Sequence, residues 1–131
     1  VNEPRSYVGG SPVTPLELSH AAAKAAADKK AKDIAVLDLR GLVSYTDYMV
    51  LCTGQTPRQV AAIAEEVRAR LKAEHGILPH KIDGEREADW ILIDLLDAVV
   101  HVQTPEAREF YRLERLWRDA PREDLRELAA S

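Results

Sequence analysis

A chain of 131 residues, 46% hydrophobic and 31% charged, has room for one domain built on one sheet, and is too apolar to be disordered throughout. Its single cysteine, Cys52, excludes an internal disulfide and sits in an apolar run, as a buried small hydrophobe in an intracellular protein would. No apolar run approaches the ~20 residues that span a bilayer, and no basic stretch leads an apolar one as in a signal peptide. The formal charge of −4 has a location: between Asp83 and Asp97 six acids face one base, Arg86, while the rest of the chain holds 16 acids and 17 bases. A local acidic band attracts a basic partner and repels bare nucleic acid.

In chain order, residues 1–13 lack periodicity and carry glycines and prolines, so they are expected to be a flexible leader, part of it a cloning remnant. Residues 14–121 form the expected single domain, and the Arg/Glu-rich residues 122–131 a frayed tail, expected as a short helix. Thr14-Pro15-Leu16-Glu17 opens the first helix: threonine caps, proline takes the first helical position, and Glu17 completes a capping box. This helix is expected to run to about Lys32, with Ala23, Ala26 and Ala27 as a close-packing face. Ile34–Leu39 reads as an interior strand and Asp47–Thr53 as a second strand covered on both faces.

Thr56-Pro57-Arg58-Gln59 repeats the helix-start signature. Val60, Ile63, Ala64, Val67 and Leu71 follow at helical spacing, and Gly76 stands where a helix-ending glycine belongs. Ile77–Ile82 contains Pro79 and so predicts an edge strand. Asp83-Gly84 marks a turn. Asp89–Leu95 and Ala98–Gln103 predict an antiparallel hairpin joined at Leu96-Asp97, which is poor chemistry for a tight turn. Thr104-Pro105 opens a last long helix with Phe110, Leu113, Leu116 and Trp117 on its inner face, ended or kinked by Pro121. The order α-β-β-α-β-β-β-α predicts an α/β fold: a mixed five-stranded sheet with helices packed on it.

Little here suggests chemistry. His20, His75, His80 and His101 fall in no metal-binding spacing, and His101, between Val100 and Val102, reads as a hydrogen-bonded sheet histidine. Thr53-Gly54, leading from strand to helix with Arg58 nearby, is either a capped structural turn or a simple anion site. Asp47, Asp94 and Asp97 are the carboxylates a divalent ion would need, but the paired carboxylates of a nucleotide-transfer site are missing. Trp90 opens a strand among acids. It is either a partner-binding anchor with a charged rim or a core tryptophan with its N–H satisfied.

Three motifs occur in order: D-Y-M-V-L-C-T-G-Q-T-x-R-Q-V, then D-G-E-x-x-x-D-W-I-L-I-D-L-L-D-A-V-V-H-V-Q, then E-F-Y-x-L-E-x-L-W. Together they resemble the ribosomal silencing factors, or Iojap family, over about Leu16 to Pro121. The resemblance implies a nucleotidyltransferase-like fold without catalytic carboxylates. It implies no enzyme and no cofactor, but a factor that binds ribosomal protein fourteen on the large subunit, blocks small-subunit docking and represses translation when nutrients are short. It further implies a homodimer when free and a bacterial cytoplasmic location, with an organellar relative as the alternative. The partner-binding residues are then Trp90, Asp94, Leu95, Leu96 and Asp97, with Glu85 and Asp89 in the acidic rim. At the hairpin, many relatives read aspartate-tyrosine-glycine-aspartate where this chain has Asp94-Leu95-Leu96-Asp97. Two rivals stand beside this reading: a magnesium-dependent nucleotidyltransferase using Asp47, Asp94 and Asp97, and a dimeric scaffold.

Overall fold

The computed structural model describes residues 13–125; the leader through Pro12 and the tail beyond Leu125 lie outside them. In chain order the elements are α1 (Pro15–Asp28), β1 (Lys32–Asp38), β2 (Tyr48–Thr53), α2 (Pro57–His75), β3 (Lys81–Asp83), β4 (Trp90–Asp94), β5 (Ala98–Gln103), α3 (Pro105–Tyr111) and α4 (Leu113–Leu116). The strands form one mixed sheet in the order β1-β2-β5-β4-β3. The central pair β2 and β5 is parallel and every other pair antiparallel.

Alternation along the strands gives the sheet two different faces. On one, Val36, Val50, Cys52, Ile91, Ile93, Val100 and Val102 meet Leu18, Ala22 and Ala26 of α1 and Val60, Ile63 and Val67 of α2. The small residues Ala22, Ala23, Ala25 and Ala26 are buried in α1, whereas the expected contact Ala27 is only half-buried. On the other face Ala35, Leu37, Met49 and Leu51 form a smaller core under Leu113, Trp117 and Ala120. That cluster lies over β1 and β2, and on the same face the β5 residues Val99, His101 and Gln103 are buried too. Over β4, Trp90, Leu92 and Asp94 are half-buried, and the β3 residues Lys81 and Asp83 are exposed.

The Thr14–Glu17 capping box forms, with the Glu17 backbone N–H donating to Thr14 Oγ1 at 3.1 Å and the Thr14 N–H to Glu17 Oε1 at 2.9 Å. At α2, Thr56 accepts from the Gln59 N–H, but Gln59 Oε1 accepts from the N–H of Gln55, one residue upstream of the expected capping-box partner. The first helix stops four residues earlier than expected. Lys30 takes the left-handed conformation (φ 68), its N–H donates to the Ala27 carbonyl, and the Ala31 N–H reaches the Ala26 carbonyl. These two bonds close a helix end that glycine usually supplies, so composition gives no warning of it.

Three expectations are corrected. β1 is an edge strand, not an interior one. Its apolar run arises because both its faces are covered, Val36 in one core and Ala35 and Leu37 in the other, while the chain after α4 seals its open edge: the Asp38 N–H donates to the Pro121 carbonyl and the Glu123 N–H to the Val36 carbonyl. Residues 122–125 are therefore extended along β1 rather than helical. The last long helix is two short ones, broken at Arg112 (φ 47). The break turns Phe110 and Leu116 outward, 79% and 69% exposed, while Leu113 and Trp117 still pack inward.

The β4–β5 hairpin forms as expected, but its link is tight and strained where the Leu96-Asp97 chemistry predicts a looser one. The Leu95 N–H donates to the Ala98 carbonyl, and the Asp97 N–H returns to the Leu95 carbonyl two residues back. Leu96, at φ 71, is the centre of this three-residue turn. Asp94 Oδ1 accepts from the Leu96 N–H at 2.9 Å and holds the turn shut. A left-handed conformation costs an L-residue about 1–2 kcal/mol; glycine avoids that cost but loses about 0.5–1 kcal/mol of chain entropy. Leu96→Gly is therefore expected to raise stability by roughly 0.5–1 kcal/mol, read as a higher urea midpoint at unchanged slope. A lower midpoint would show that the leucine side chain contributes more than its backbone costs.

Candidate partner-binding face

The uncovered part of the sheet is organised by Trp90. Strand parity puts its indole on the open face, beside His101 of the neighbouring strand, and Nε1 donates to His101 Nδ1 at 2.9 Å. His101 is 5% exposed, and burial pushes its pKa down to about 4. The imidazole is thus neutral, with Nδ1 as acceptor and the proton on Nε2. Of the two readings of Trp90, the structure keeps half of each: its N–H is satisfied internally, while the ring remains half-buried at the surface. The ring also stands 4.5 Å from Tyr111, centroid to centroid, and Tyr111 meets Phe110 edge-on at 5.0 Å. The aromatic series runs from the sheet onto α3.

Between Trp90 and α3 lies an open groove of about 480 Å³. Its walls are Trp90, Ala107, Phe110 and Tyr111, with the carboxylates of Asp89 and Glu106 at its edges. Two features hold α3 in place. The Thr104 N–H donates to the Asp89 carbonyl at 2.9 Å, and Thr104 Oγ1 caps the helix through the Ala107 N–H. Arg108 then reaches three ways: Nε to Glu114 at 2.8 Å, Nη1 to Thr53 Oγ1 at 2.9 Å, and Nη2 to the Asp33 carbonyl at 2.8 Å. The Arg108 guanidinium, helped by Arg122, holds the Glu114 carboxyl below the usual range. Arg108, Phe110, Tyr111 and Glu106 carry no sequence signal of a site. A continuous helix would have buried Phe110, and nothing local marks the break at Arg112.

The residues expected to form the site are not all brought together. Glu85 and Asp89 are exposed on the β3–β4 turn and strand start, with Asp83 and Glu87 beside them. Trp90 and Leu96 reach the surface. Leu95 does not: at 2% exposure it belongs to the core under α1 and α2, because it shares the inward parity of Ile91 and Ile93. Asp97 is 6% exposed, and its backbone carbonyl receives the N–H groups of Asp47 and Tyr48. Contrary to expectation, neither Leu95 nor Asp97 offers contact surface to a partner. Asp94 is half-buried, and its carboxylate serves the hairpin.

Thr53 and Gly54 serve a structural turn. The Thr53 hydroxyl is taken by Arg108, and the Gly54 N–H donates to the Gln103 carbonyl at 3.0 Å. A Cβ on Gly54 would lie 2.8 Å from the Val60 backbone nitrogen, so only glycine lets α2 start this close to the sheet. Arg58 points to solvent. Asp47, Asp94 and Asp97 do not converge; among the described residues no group of three or more His, Cys, Asp or Glu side chains is placed to hold a metal ion. Among the same residues no helix is long and apolar enough to cross a membrane.

His101 makes the face sensitive to acid. Its folded pKa of about 4 lies below the ordinary 6.5, so on acidification the unfolded chain takes up the proton first. Stability contributed by the neutral imidazole is complete above pH ~6.5 and lost toward pH ~4, at about 1.4 kcal/mol per pH unit and about 3 kcal/mol in total. His101→Asn keeps an acceptor near the indole N–H but cannot titrate. Urea midpoints between pH 6.5 and 4.5 are expected to fall steeply for the parent and much less for the variant. Parallel curves would show that His101 is not the group responsible.

Comparisons with known proteins identify the family and the fold. The family model described as "Ribosomal silencing factor during starvation" matches residues 12–131. The chain is 46% identical over 104 residues to the ribosomal silencing factor RsfS of Bacillus subtilis, covering 79% of this chain and 87% of that protein. It is 33% identical over 106 residues to the chloroplastic protein Iojap of Zea mays, covering 80% of this chain and 45% of that longer protein. A crystal structure of a Chromobacterium violaceum protein superposes with a TM-score of 0.77 at 38% identity, covering 80% of this chain and 87% of that one. The fold, the motif order and the extent of these matches place the chain in the family of ribosomal silencing factors.

Proposed function

We propose that the protein represses translation without chemistry, by binding the large ribosomal subunit through ribosomal protein fourteen and occupying a surface the small subunit needs. The factor acts in the bacterial cytoplasm when nutrients are short, and pairs with a second copy when free of ribosomes. The observation that carries this reading is Trp90: a ring fixed by His101, left half-open on an uncovered sheet face, and flanked by exposed carboxylates. An aromatic anchor with a charged rim is the usual anatomy of a protein-binding hot spot. The exposed acids Asp83, Glu85, Glu87 and Asp89 suit a basic ribosomal protein and disfavour indiscriminate contact with ribosomal RNA. Blocking requires only that the bound factor remain in place.

Co-sedimentation with separated subunits tests the proposal. The protein is expected to travel with large subunits, not small ones, to reduce their reassociation, and to bind less well as salt rises. Charge reversal belongs on Glu85, Glu87 and Asp89, which are exposed, rather than on buried Asp97. A chain that stays dimeric and never sediments with large subunits supports the scaffold reading instead.

A further inference from the structure

We propose that the groove between Trp90 and α3 receives one arginine side chain of the basic partner, clasped between aromatic rings and two carboxylates. This rests on the reading of the Trp90 face as the ribosome-binding surface and specifies the chemistry of its central contact. Three observations lead to it. Trp90, Phe110 and Tyr111 line the groove, and no basic residue does; its charged members are Asp89 and Glu106. The indole N–H is already bonded to His101 and one side of the ring meets Tyr111, so Trp90 has only the remaining part of its π surface to offer. Phe110 is 79% exposed and Tyr111 51%, an unusual pair of rings to leave in water on one short helix.

Indole is the strongest π partner for a cation among side chains. A guanidinium stacks flat on such rings while its edge donates to carboxylates, whereas an ammonium is a more strongly hydrated point charge. The groove supplies both needs from separate elements: stacking from Trp90 and α3, and acceptors from Asp89 before β4 and Glu106 in the first turn of α3. A neutral apolar side chain would fill the volume but bring two carboxylates toward burial without a partner.

The test is an NMR titration of the isotope-labelled full chain with N-acetyl-arginine amide, its neutral isostere N-acetyl-citrulline amide, and N-acetyl-lysine amide. The Trp90 indole N–H and the Glu106 and Tyr111 amides are expected to shift saturably. Half-saturation is expected at about tenfold lower concentration for arginine than for citrulline or lysine, with the preference lost in Glu106→Gln and weakened in Phe110→Ala. Equal response to arginine and citrulline overturns the proposal, as does equal response to lysine or silence at Trp90. Large-subunit binding by Trp90→Ala is measured in parallel. If that variant loses the ribosome while the parent ignores arginine, the docking face stands and the arginine clasp falls. If arginine binds but Trp90→Ala still sediments with large subunits, the clasp is real and the docking face is wrong.

Discussion

Trp90→Ala is expected to weaken binding to the large ribosomal subunit by roughly 30- to 1000-fold, the 2–4 kcal/mol typical of truncating a central aromatic anchor. The substitution also acts on the fold. It removes the donor to His101 Nδ1, a buried acceptor, and one side of the contact with Tyr111. An unpaired buried acceptor and a lost half-buried ring together predict about 2–3 kcal/mol of lost stability. A binding defect alone is therefore ambiguous. Trp90→Phe separates the two effects, because it keeps a ring on the face but leaves His101 without its donor. The phenylalanine variant is expected to lose about 1–2 kcal/mol of stability yet bind within roughly tenfold of the parent. Urea melts and co-sedimentation on the same preparations decide the matter. Should Trp90→Ala, shown to be folded, sediment with large subunits as the parent does, the anchor lies elsewhere on the molecule.

How much of this was legible beforehand differs between the two halves of the sheet. The covered face could be read because burial there follows period: Ile91 and Ile93 alternate, and Val60, Ile63 and Val67 recur at helical spacing; Leu95 has the same parity and is buried, though the family resemblance put it among the binding residues. Turn and cap chemistry marked the helix starts at Thr14, Thr56 and Thr104. What could not be read depends on left-handed residues that carry a Cβ. Lys30, Leu96 and Arg112 each sit where glycine is the usual signal, and each moved a boundary or set a turn. The break at Arg112 mattered most: α3 ends with Tyr111 against Trp90 and Phe110 exposed beside it at the groove. The acidic band was visible as composition, yet composition does not tell exposed Glu85 from buried Asp97. That distinction comes only from the hairpin, where the Asp97 carbonyl closes the end of β2.

Gly84→Ala is expected to disturb the site from behind, through the Trp90 backbone and not through any side chain that faces the partner. Gly84 opens the turn that follows Asp83, at φ 89, and a Cβ there would lie 2.0 Å from the Trp90 carbonyl oxygen and 3.1 Å from its carbonyl carbon. Both are backbone atoms, so no rotamer change relieves the clash. Either Gly84 changes its φ, opening the turn closed by the Ala88 N–H on the Gly84 carbonyl, or β3 separates from β4. β3 is only three residues long, so separation is the easier response, and it shifts the strand start that carries Trp90. Positive φ alone costs alanine about 1–2 kcal/mol, and displaced backbone raises the expected loss to about 3–5 kcal/mol. Gly41→Ala is the internal comparison: its φ is 82, but its Cβ would meet nothing within 4 Å. That variant is expected to lose about 1–2 kcal/mol, a few degrees of Tm, while Gly84→Ala loses two to three times as much. Large-subunit binding measured well below both transitions should fall for Gly84→Ala and hold for Gly41→Ala. Equal stability losses in the two variants would mean that the turn at Gly84 yields freely and that Trp90 is not braced by the strand beside it.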